Sequence, residues 1–142
     1  PGAEVDYHFV LQYIVDMYEK YNWPKGQLGF DQKMATWLEH ELTELGFTPV
    51  AITQSYIGLS EATKDLRAKV YNKKYIQKKD PLMFWAMGNA ILRTGPSGDI
   101  MLNKGMATQR IDPVAAKINA HVLAMVNEPD INPYQERGIL GL

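Results

Sequence analysis

The sequence predicts an α/β fold in a single domain of 142 residues. Apolar residues recur at helical spacing in several segments, and the stretches between them carry the glycine, proline and asparagine residues typical of turns. Near the N-terminus, helix and strand patterns alternate, as in a parallel β-α-β unit. We therefore expect a mixed sheet flanked by helices over residues 1–142.

The first half of the chain is predicted as helix, strand, helix and strand, at residues 6–21, 27–30, 34–45 and 48–54. Asp31 follows directly on the first strand. Gly46 is placed to end the second helix as its C-terminal cap. The apolar run from Val50 to Ile52 predicts a strand that is covered on both faces.

The second half contains three predicted helix starts. Ser60 is expected to cap a third helix. Asp80 and Asp112 each precede a proline. An aspartate followed by a proline predicts an N-cap with the proline at the first helical position. Between the last two helices, apolar segments around a Gly-Pro-Ser-Gly turn predict a hairpin with strands at residues 90–94 and 100–102.

The composition excludes several classes of protein. Hydrophobic residues make up 46% and charged residues 22% of the chain, which is typical of a globular domain rather than a disordered one. No apolar run approaches the roughly 20 residues that span a bilayer, and the pattern of a signal peptide is absent, so we expect a soluble protein that is not exported. The chain has no cysteine, so any metal must bind to oxygen or imidazole.

Charge is distributed unevenly along the chain. Residues 1–60 carry three basic and eight acidic side chains, whereas residues 64–117 carry eleven basic and four acidic ones. Basic side chains of this kind attract a phosphate backbone without regard to sequence, although a solvated helix face is the simpler interpretation. The residues concerned are Lys64, Arg67, Lys69, Lys73, Lys74, Lys78 and Lys79.

Two acids are the first candidates for chemistry. Asp31 is predicted at the carboxyl end of a strand, where α/β sheets place ligand-binding groups. Asp112 is predicted at a helix start, where backbone N–H groups and the helix dipole stabilise a carboxylate. Each acid alone is most simply a turn or capping residue. Gln54 ends a strand at the same predicted edge and is a candidate for DNA contact.

Short segments in order along the chain resemble the nuclease domain of phage large terminase subunits. The resemblance covers roughly residues 6–125 and depends on the order and spacing of the segments more than on any one of them. The segments are Gly29–Ala35, Leu45–Phe47, Val50–Gln54, Leu59–Ser60, Asp80–Trp85 with Asn89, and Arg110–Pro113 with Ala115 and Ala116.

This resemblance implies a ribonuclease H-like fold and a metal-dependent endonuclease that cuts concatemeric double-stranded DNA during genome packaging. In the family, carboxylates hold two divalent cations, Mg²⁺ or Mn²⁺, on either side of the scissile phosphate. Asp31 and Asp112 match two of these metal-binding acids. Lys104 lies where the family often has a basic residue, and it is a catalytic candidate. Arg110 is a further candidate for DNA contact.

One departure from the family concerns the metal ligands. The family's first metal-binding aspartate lies on a strand for which there are too few residues before Asp6. We therefore expect a fragment truncated at its N-terminus, with one ligand outside this chain and with little or no activity in isolation. The sheet edge left by missing strands can pair two copies of the chain.

The resemblance also implies partners and a location. These are double-stranded DNA, the terminase small subunit, the portal and the procapsid, in the cytoplasm of a bacterial host and without a membrane. Two other functions remain open from sequence. One is a non-catalytic module that grips DNA or docks onto portal or capsid, and the other is a different ribonuclease H-like nuclease such as a resolvase.

Overall fold

The computed structural model describes residues 6–31 and 36–127. No helix within these ranges is both long and apolar enough to cross a membrane. The elements of the described chain are, in order, α1 (Tyr7–Tyr21), β1 (Gln27–Asp31), α2 (Thr36–Glu44), β2 (Thr48–Ile52), α3 (Tyr56–Tyr71), α4 (Pro81–Gly88), β3 (Leu92–Thr94), β4 (Ile100–Leu102) and α5 (Asp112–Val126).

The first helix has nearly the boundaries predicted from sequence, and the second lies within its predicted range, although the predicted start at residues 34 and 35 lies outside the described residues. The carboxylate of Asp6 accepts hydrogen bonds from the first N–H groups of α1 and caps that helix. Gly46 has a φ of +85°, which glycine adopts without strain. The N–H groups of Gly46 and Phe47 then bond back to the carbonyls of Thr43 and Leu42, which closes α2 in a Schellman motif.

The predicted parallel unit is confirmed. β1 and β2 pair in parallel, with Gln27 opposite Thr48 and Asp31 opposite Ile52, and α2 lies between them in the chain. The prediction that β2 is covered on both faces is wrong. Ile52 is buried but the neighbouring Ala51 is exposed, because only one face of this strand packs against the core.

The prediction that Ser60 caps a helix is wrong. Helix α3 begins earlier, and its cap is Ser55, whose hydroxyl accepts a hydrogen bond from the N–H of Gly58 at 3.4 Å. A Cβ atom on Gly58 would lie 2.1 Å from the Thr53 carbonyl oxygen, so a glycine is needed where the helix starts this close to β2. Ser60 is buried and accepts a hydrogen bond from the N–H of Ile100 at 3.1 Å.

Helix α4 and the hairpin agree with the sequence. The carboxylate of Asp80 accepts from the N–H groups of Leu82 and Met83, and Pro81 opens the helix. β3 and β4 pair antiparallel. However, the strands of the described ranges form two separate sheets of two strands instead of one mixed sheet. The short hairpin buries β4 against α3 and does not extend the β1–β2 pair.

The prediction that Asp112 is an N-cap is also wrong. Ile111 takes the cap position, and its carbonyl accepts hydrogen bonds from the N–H groups of Val114 and Ala115. Burial explains the shift, because Ile111 is only 3% exposed and packs into the core where the helix begins. Asp112 is therefore the first residue of α5 and is exposed.

Among residues 6–31 and 36–127, most buried side chains fall into two clusters. The larger cluster holds β2, β4 and the inner faces of α3 and α5 together, through residues such as Ile52, Leu66 and Ile118. The smaller cluster contains Leu38, Leu42 and Phe47, against which apolar residues of α1 pack. β1 runs between the two clusters, which fixes the position of the strand that ends at Asp31.

Candidate active site

Helix α5 lies antiparallel to β1 and in close contact with it. The side-chain amide of Asn127, at the end of the helix, donates to Gln27 at the start of the strand at 2.6 Å. Farther along, a Cβ atom on Gly29 would lie only 3.2 Å from Leu123 and 3.3 Å from the Asn119 carbonyl oxygen. The carboxyl end of β1 is therefore directed toward the N-terminal end of α5.

A cleft of about 320 Å³ opens at this end of β1. It lies between α3, α5, the end of β2 and the turn that follows β4. Apolar side chains such as Leu59, Leu102 and Ile118 line part of it. The polar residues that line it are Asp31, Gln54, Thr63, Arg93, Asn103, Lys104 and Asn119. Two residues predicted as catalytic, Asp31 and Lys104, thus share one cavity.

Gln54 and Asn119 form a linked pair of amides in the wall of the cleft. The Gln54 Nε2 donates to the Ile52 carbonyl at 3.0 Å and to the Asn119 Oδ1 at 3.1 Å. This arrangement ties the end of β2 to α5. The Gln54 predicted as a DNA contact therefore lies in the cleft, where its first role is to hold two elements together.

A tight turn places Lys104 at the cleft. The N–H of Asn103 donates to the Ile91 carbonyl at 2.7 Å, and the Asn103 Oδ1 accepts from the N–H of Met106 at 3.3 Å. These bonds hold the backbone on both sides of Lys104, whose own side chain is exposed. A cation is therefore carried on a fixed turn in the same cavity as a carboxylate.

Asp112 does not line the cleft itself, but it lies at the same end of the β1–α5 pair. In a helix, residues i, i+7 and i+11 share one stripe, so Asp112 is on the stripe of Asn119 and Leu123, which contacts β1. It is three residues, or roughly 4.5 Å along the axis, before Ala115, which does line the cleft. Within the described chain its carboxylate has no hydrogen bond or ion pair.

Arg93 is a cleft residue that the sequence did not reveal. Its guanidinium lies 5.3 Å from the centre of the Tyr56 ring, and its Nη2 donates to the Met101 sulfur at 3.2 Å. The sequence of β3 does not predict that Arg93 lines the cleft, because its position depends on how the hairpin packs against α3. The position of Asn119 could have been predicted, since it follows Asp112 by seven residues and therefore lies on the same face of the helix.

The basic residues proposed for DNA contact differ in their surroundings. The Lys64 ammonium is 3.1 Å from Glu61 and 3.4 Å from Asp99, and the hydrogen bond with Glu61, followed by that with Asp99, raises the pKa of Lys64. Arg67 lies over the exposed ring of Tyr71. Two of the basic side chains of α3 therefore already have partners within the protein.

The other proposed contacts are exposed and lie outside α3. Lys73 and Lys74 follow the end of that helix, and Arg110 lies in the loop before α5. None of these three residues lines the cleft. Arg110 lies two residues before Asp112, whereas the two lysines belong to the segment between α3 and α4.

The cleft has donors that suit a hard divalent cation, in carboxylate and amide oxygens. Over residues 6–31 and 36–127, however, no group of three or more aspartate, glutamate or histidine side chains is close enough to hold a metal ion. The described residues therefore supply only part of a binding site for the expected Mg²⁺ or Mn²⁺.

Comparisons with known proteins agree on one family. The family model described as "Terminase large subunit, endonuclease domain" matches residues 6–128. Protein YmfN of Escherichia coli strain K12 is 32% identical over 131 residues, which are 91% of this chain and 28% of YmfN. The crystal structure of the HK97 bacteriophage large terminase matches with a TM-score of 0.76 and 23% identity, over 87% of this chain and 26% of that chain.

At 23% identity the HK97 likeness shows a shared fold. The chain also spans less than a third of the length of each of these two relatives. The family model, by contrast, covers most of the described chain. The chain therefore belongs to the terminase large subunit family and corresponds to its endonuclease domain.

Proposed function

We propose that this chain provides the cutting site of a metal-dependent endonuclease that cleaves double-stranded DNA during phage genome packaging. The observation that carries the proposal is that Asp31 lines the cleft and that Asp112, on α5 packed antiparallel to β1, lies toward the same end of the β1–α5 pair. A strand-end acid and an acid opening the last helix also support a ribonuclease H-like arrangement of the site.

In this proposal Asp31 and Asp112 hold divalent cations together with a ligand outside the chain. Bound cations would supply a nucleophilic water at neutral pH and charge neutralisation at the phosphate. The Asp112 carboxylate suits this role because it neither caps its helix nor pairs with a described side chain. Its position in the first turn of α5 also stabilises its negative charge.

The cationic side chains of the cleft are assigned to the substrate. Lys104 is exposed on its fixed turn and can reach a phosphate oxygen. Arg93 presents a planar guanidinium, which recognises phosphate through two parallel hydrogen bonds. We propose that these two residues position the scissile strand and that the hydrogen bond between Gln54 and Asn119 holds the walls of the cleft together.

Terminase small subunit, portal and procapsid are proposed partners in a bacterial cytoplasm.

The test is cleavage of linear duplex DNA by the longer protein that contains this chain, in Mg²⁺ or Mn²⁺. Asp31→Asn and Asp112→Asn are each expected to lower the cleavage rate by about 100-fold or more, because each removes a charged group that acts on the transition state. Asp16→Asn is the matched control, since Asp16 is an exposed acid on α1. The melting temperature should remain nearly unchanged in the Asp112→Asn and Asp16→Asn variants, whose acids are exposed.

A second measurement separates metal binding from catalysis. Mn²⁺ should raise the melting temperature of the wild type and the Asp16→Asn protein more than that of the Asp31→Asn or Asp112→Asn protein. Full cleavage by Asp112→Asn would remove this residue from the mechanism. Faster cutting of four-way junctions than of linear duplex would favour a resolvase instead.

A further inference from the structure

The segment between α3 and α4 is unusually basic. Residues 73–79, here called the lysine strap, contain four lysines and no acid. The strap leaves α3 at Lys73, whose φ of +57° turns the backbone away from the helix axis. It ends at Asp80, which caps α4. No helix or strand forms within the strap, so its shape depends on how its side chains are anchored.

Two strap residues are anchored to α5. Tyr75 and Gln77 are half-buried, and the Lys117 ammonium donates hydrogen bonds to the Tyr75 hydroxyl and to the Gln77 side-chain oxygen. The Tyr75 hydroxyl also donates to Gln77 at 3.0 Å. Because inward and outward residues alternate, Lys74, Ile76 and Lys78 form an exposed row.

The strap lysines differ from those of α3 in their partners. Lys64 and Lys69 pair with carboxylates of the protein. Within the described ranges, Lys73, Lys74, Lys78 and Lys79 have no ion pair. Their charge is therefore available to an external anion, whereas much of the charge on α3 is already neutralised.

An apolar side chain stands in the middle of this row. Ile76 is 96% exposed, between Lys74 and Lys78. Single exposed apolar side chains are common on protein surfaces, but this one lies between two lysines, so a partner that binds the lysines would also cover it. Proteins that bind DNA combine lysines on phosphates with isoleucine or similar side chains placed against sugars and base steps.

We propose that the lysine strap is a second contact for duplex DNA, in which its lysines bind phosphates and Ile76 packs into a groove. This inference rests on the proposed function for the identity of the anion. Lys117 and Asn119 differ by about 200° around α5, so the strap and the cleft lie on different flanks of that helix. The strap therefore adds affinity without taking part in cleavage.

The experiment is a salt titration of binding to a short linear duplex, in chelator and in the Asp31→Asn background. Lys74→Gln/Lys78→Gln should weaken binding and reduce the slope of log K against log salt by about 2, since each lost phosphate contact removes roughly 0.9. The control Lys20→Gln/Lys25→Gln changes the net charge equally and should leave the slope unchanged. An unchanged slope in the strap variant, or an equal loss in the control, overturns the proposal.

Ile76→Ser tests the apolar contact separately. It should lower the affinity at every salt concentration without changing the slope, because no charge is removed. Unaltered affinity would restrict the strap to electrostatic contact and overturn the role of Ile76. Binding is measured without metal, so the two proposals fail separately. If the wild type does not cleave DNA, only the proposed function is contradicted. If Lys74→Gln/Lys78→Gln leaves the salt slope unchanged, only the role of the strap is contradicted.

Discussion

Asp65 connects α3 to α5 through its carboxylate. The Lys69 ammonium lies 2.9 Å from it within α3, and the His121 Nε2 lies 2.7 Å from it across the helix interface. The hydrogen bond with Lys69, and then that with His121, lowers the pKa of Asp65 below its usual value of 3.8. The ionised form is therefore favoured in the folded state, and this group makes stability depend on pH.

Removing this carboxylate should matter only where it is charged. Its contribution is present above the unfolded pKa of 3.8 and is lost as pH falls through the lower folded pKa. We expect Asp65→Asn to reduce the free energy of unfolding by about 1 kcal/mol near neutral pH and by less in strong acid. Urea unfolding across this range measures the difference. Glu61→Gln, whose side chain is 78% exposed, should cost less, and a pH-independent loss for Asp65→Asn would contradict the assignment.

Single residues also explain where sequence prediction failed. Serine at position 55 and serine at position 60 are equally good caps by residue type, and only the close approach of Gly58 to Thr53 shows that the helix starts at the first. Asp112-Pro113 has the same residues as Asp80-Pro81, yet burial of Ile111 moves the cap by one position. Burial is a tertiary property, and a local pattern does not contain it.

Among elements, the contact of β1 with α5 determines the relative position of the two candidate acids. A methyl group on Gly29 would press on the Asn119 carbonyl and on Leu123. We expect Gly29→Ala to destabilise the protein by about 1–3 kcal/mol, as overpacking does. It should also slow cleavage in the longer protein, because α5 carries Asp112 and must move away from the strand that ends at Asp31.

Gly88→Ala is the matched control for this substitution. Nothing lies within 4 Å of a Cβ atom at Gly88, so the same chemical change should leave stability within about 1 kcal/mol of the wild type or raise it. Thermal unfolding and duplex cleavage of both variants make the comparison. Equal stability and equal cleavage for Gly29→Ala would show that the helix tolerates the added methyl group.

The elements themselves were largely predictable, because they depend on local periodicity. The helix of residues 6–21, the strand before Asp31 and the hairpin all follow from the spacing of apolar residues and turn residues. The cleft was predictable in part. The strand-end position and the resemblance both indicated Asp31, and the resemblance indicated Lys104. The position of Arg93 depends on how the hairpin packs, and that packing joins residues far apart in the chain.

Over the whole molecule, the order of the elements was easier to predict than the arrangement of the strands. Helical and strand periods are readable one segment at a time, whereas pairing depends on which buried faces meet. The expected single sheet is replaced, in the described ranges, by a parallel pair and an antiparallel pair. Each described strand thus has one neighbour, and association of two copies through a free edge stays a prediction that sedimentation can test.

The unequal size of the two buried clusters has a dynamic consequence. Of the residues that the structure describes, three buried ones hold the cluster under α1, whereas ten hold the cluster that contains α3 and α5. Amide protons of α1 should therefore exchange with deuterium through small openings long before those of α5, which require near-global unfolding. β1 contacts both clusters. The exchange rate of its amide protons would therefore show whether the strand that ends at Asp31 opens together with α1 or only together with α5. Uniform exchange protection from α1 to α5 would show instead that this part of the chain opens as one cooperative unit.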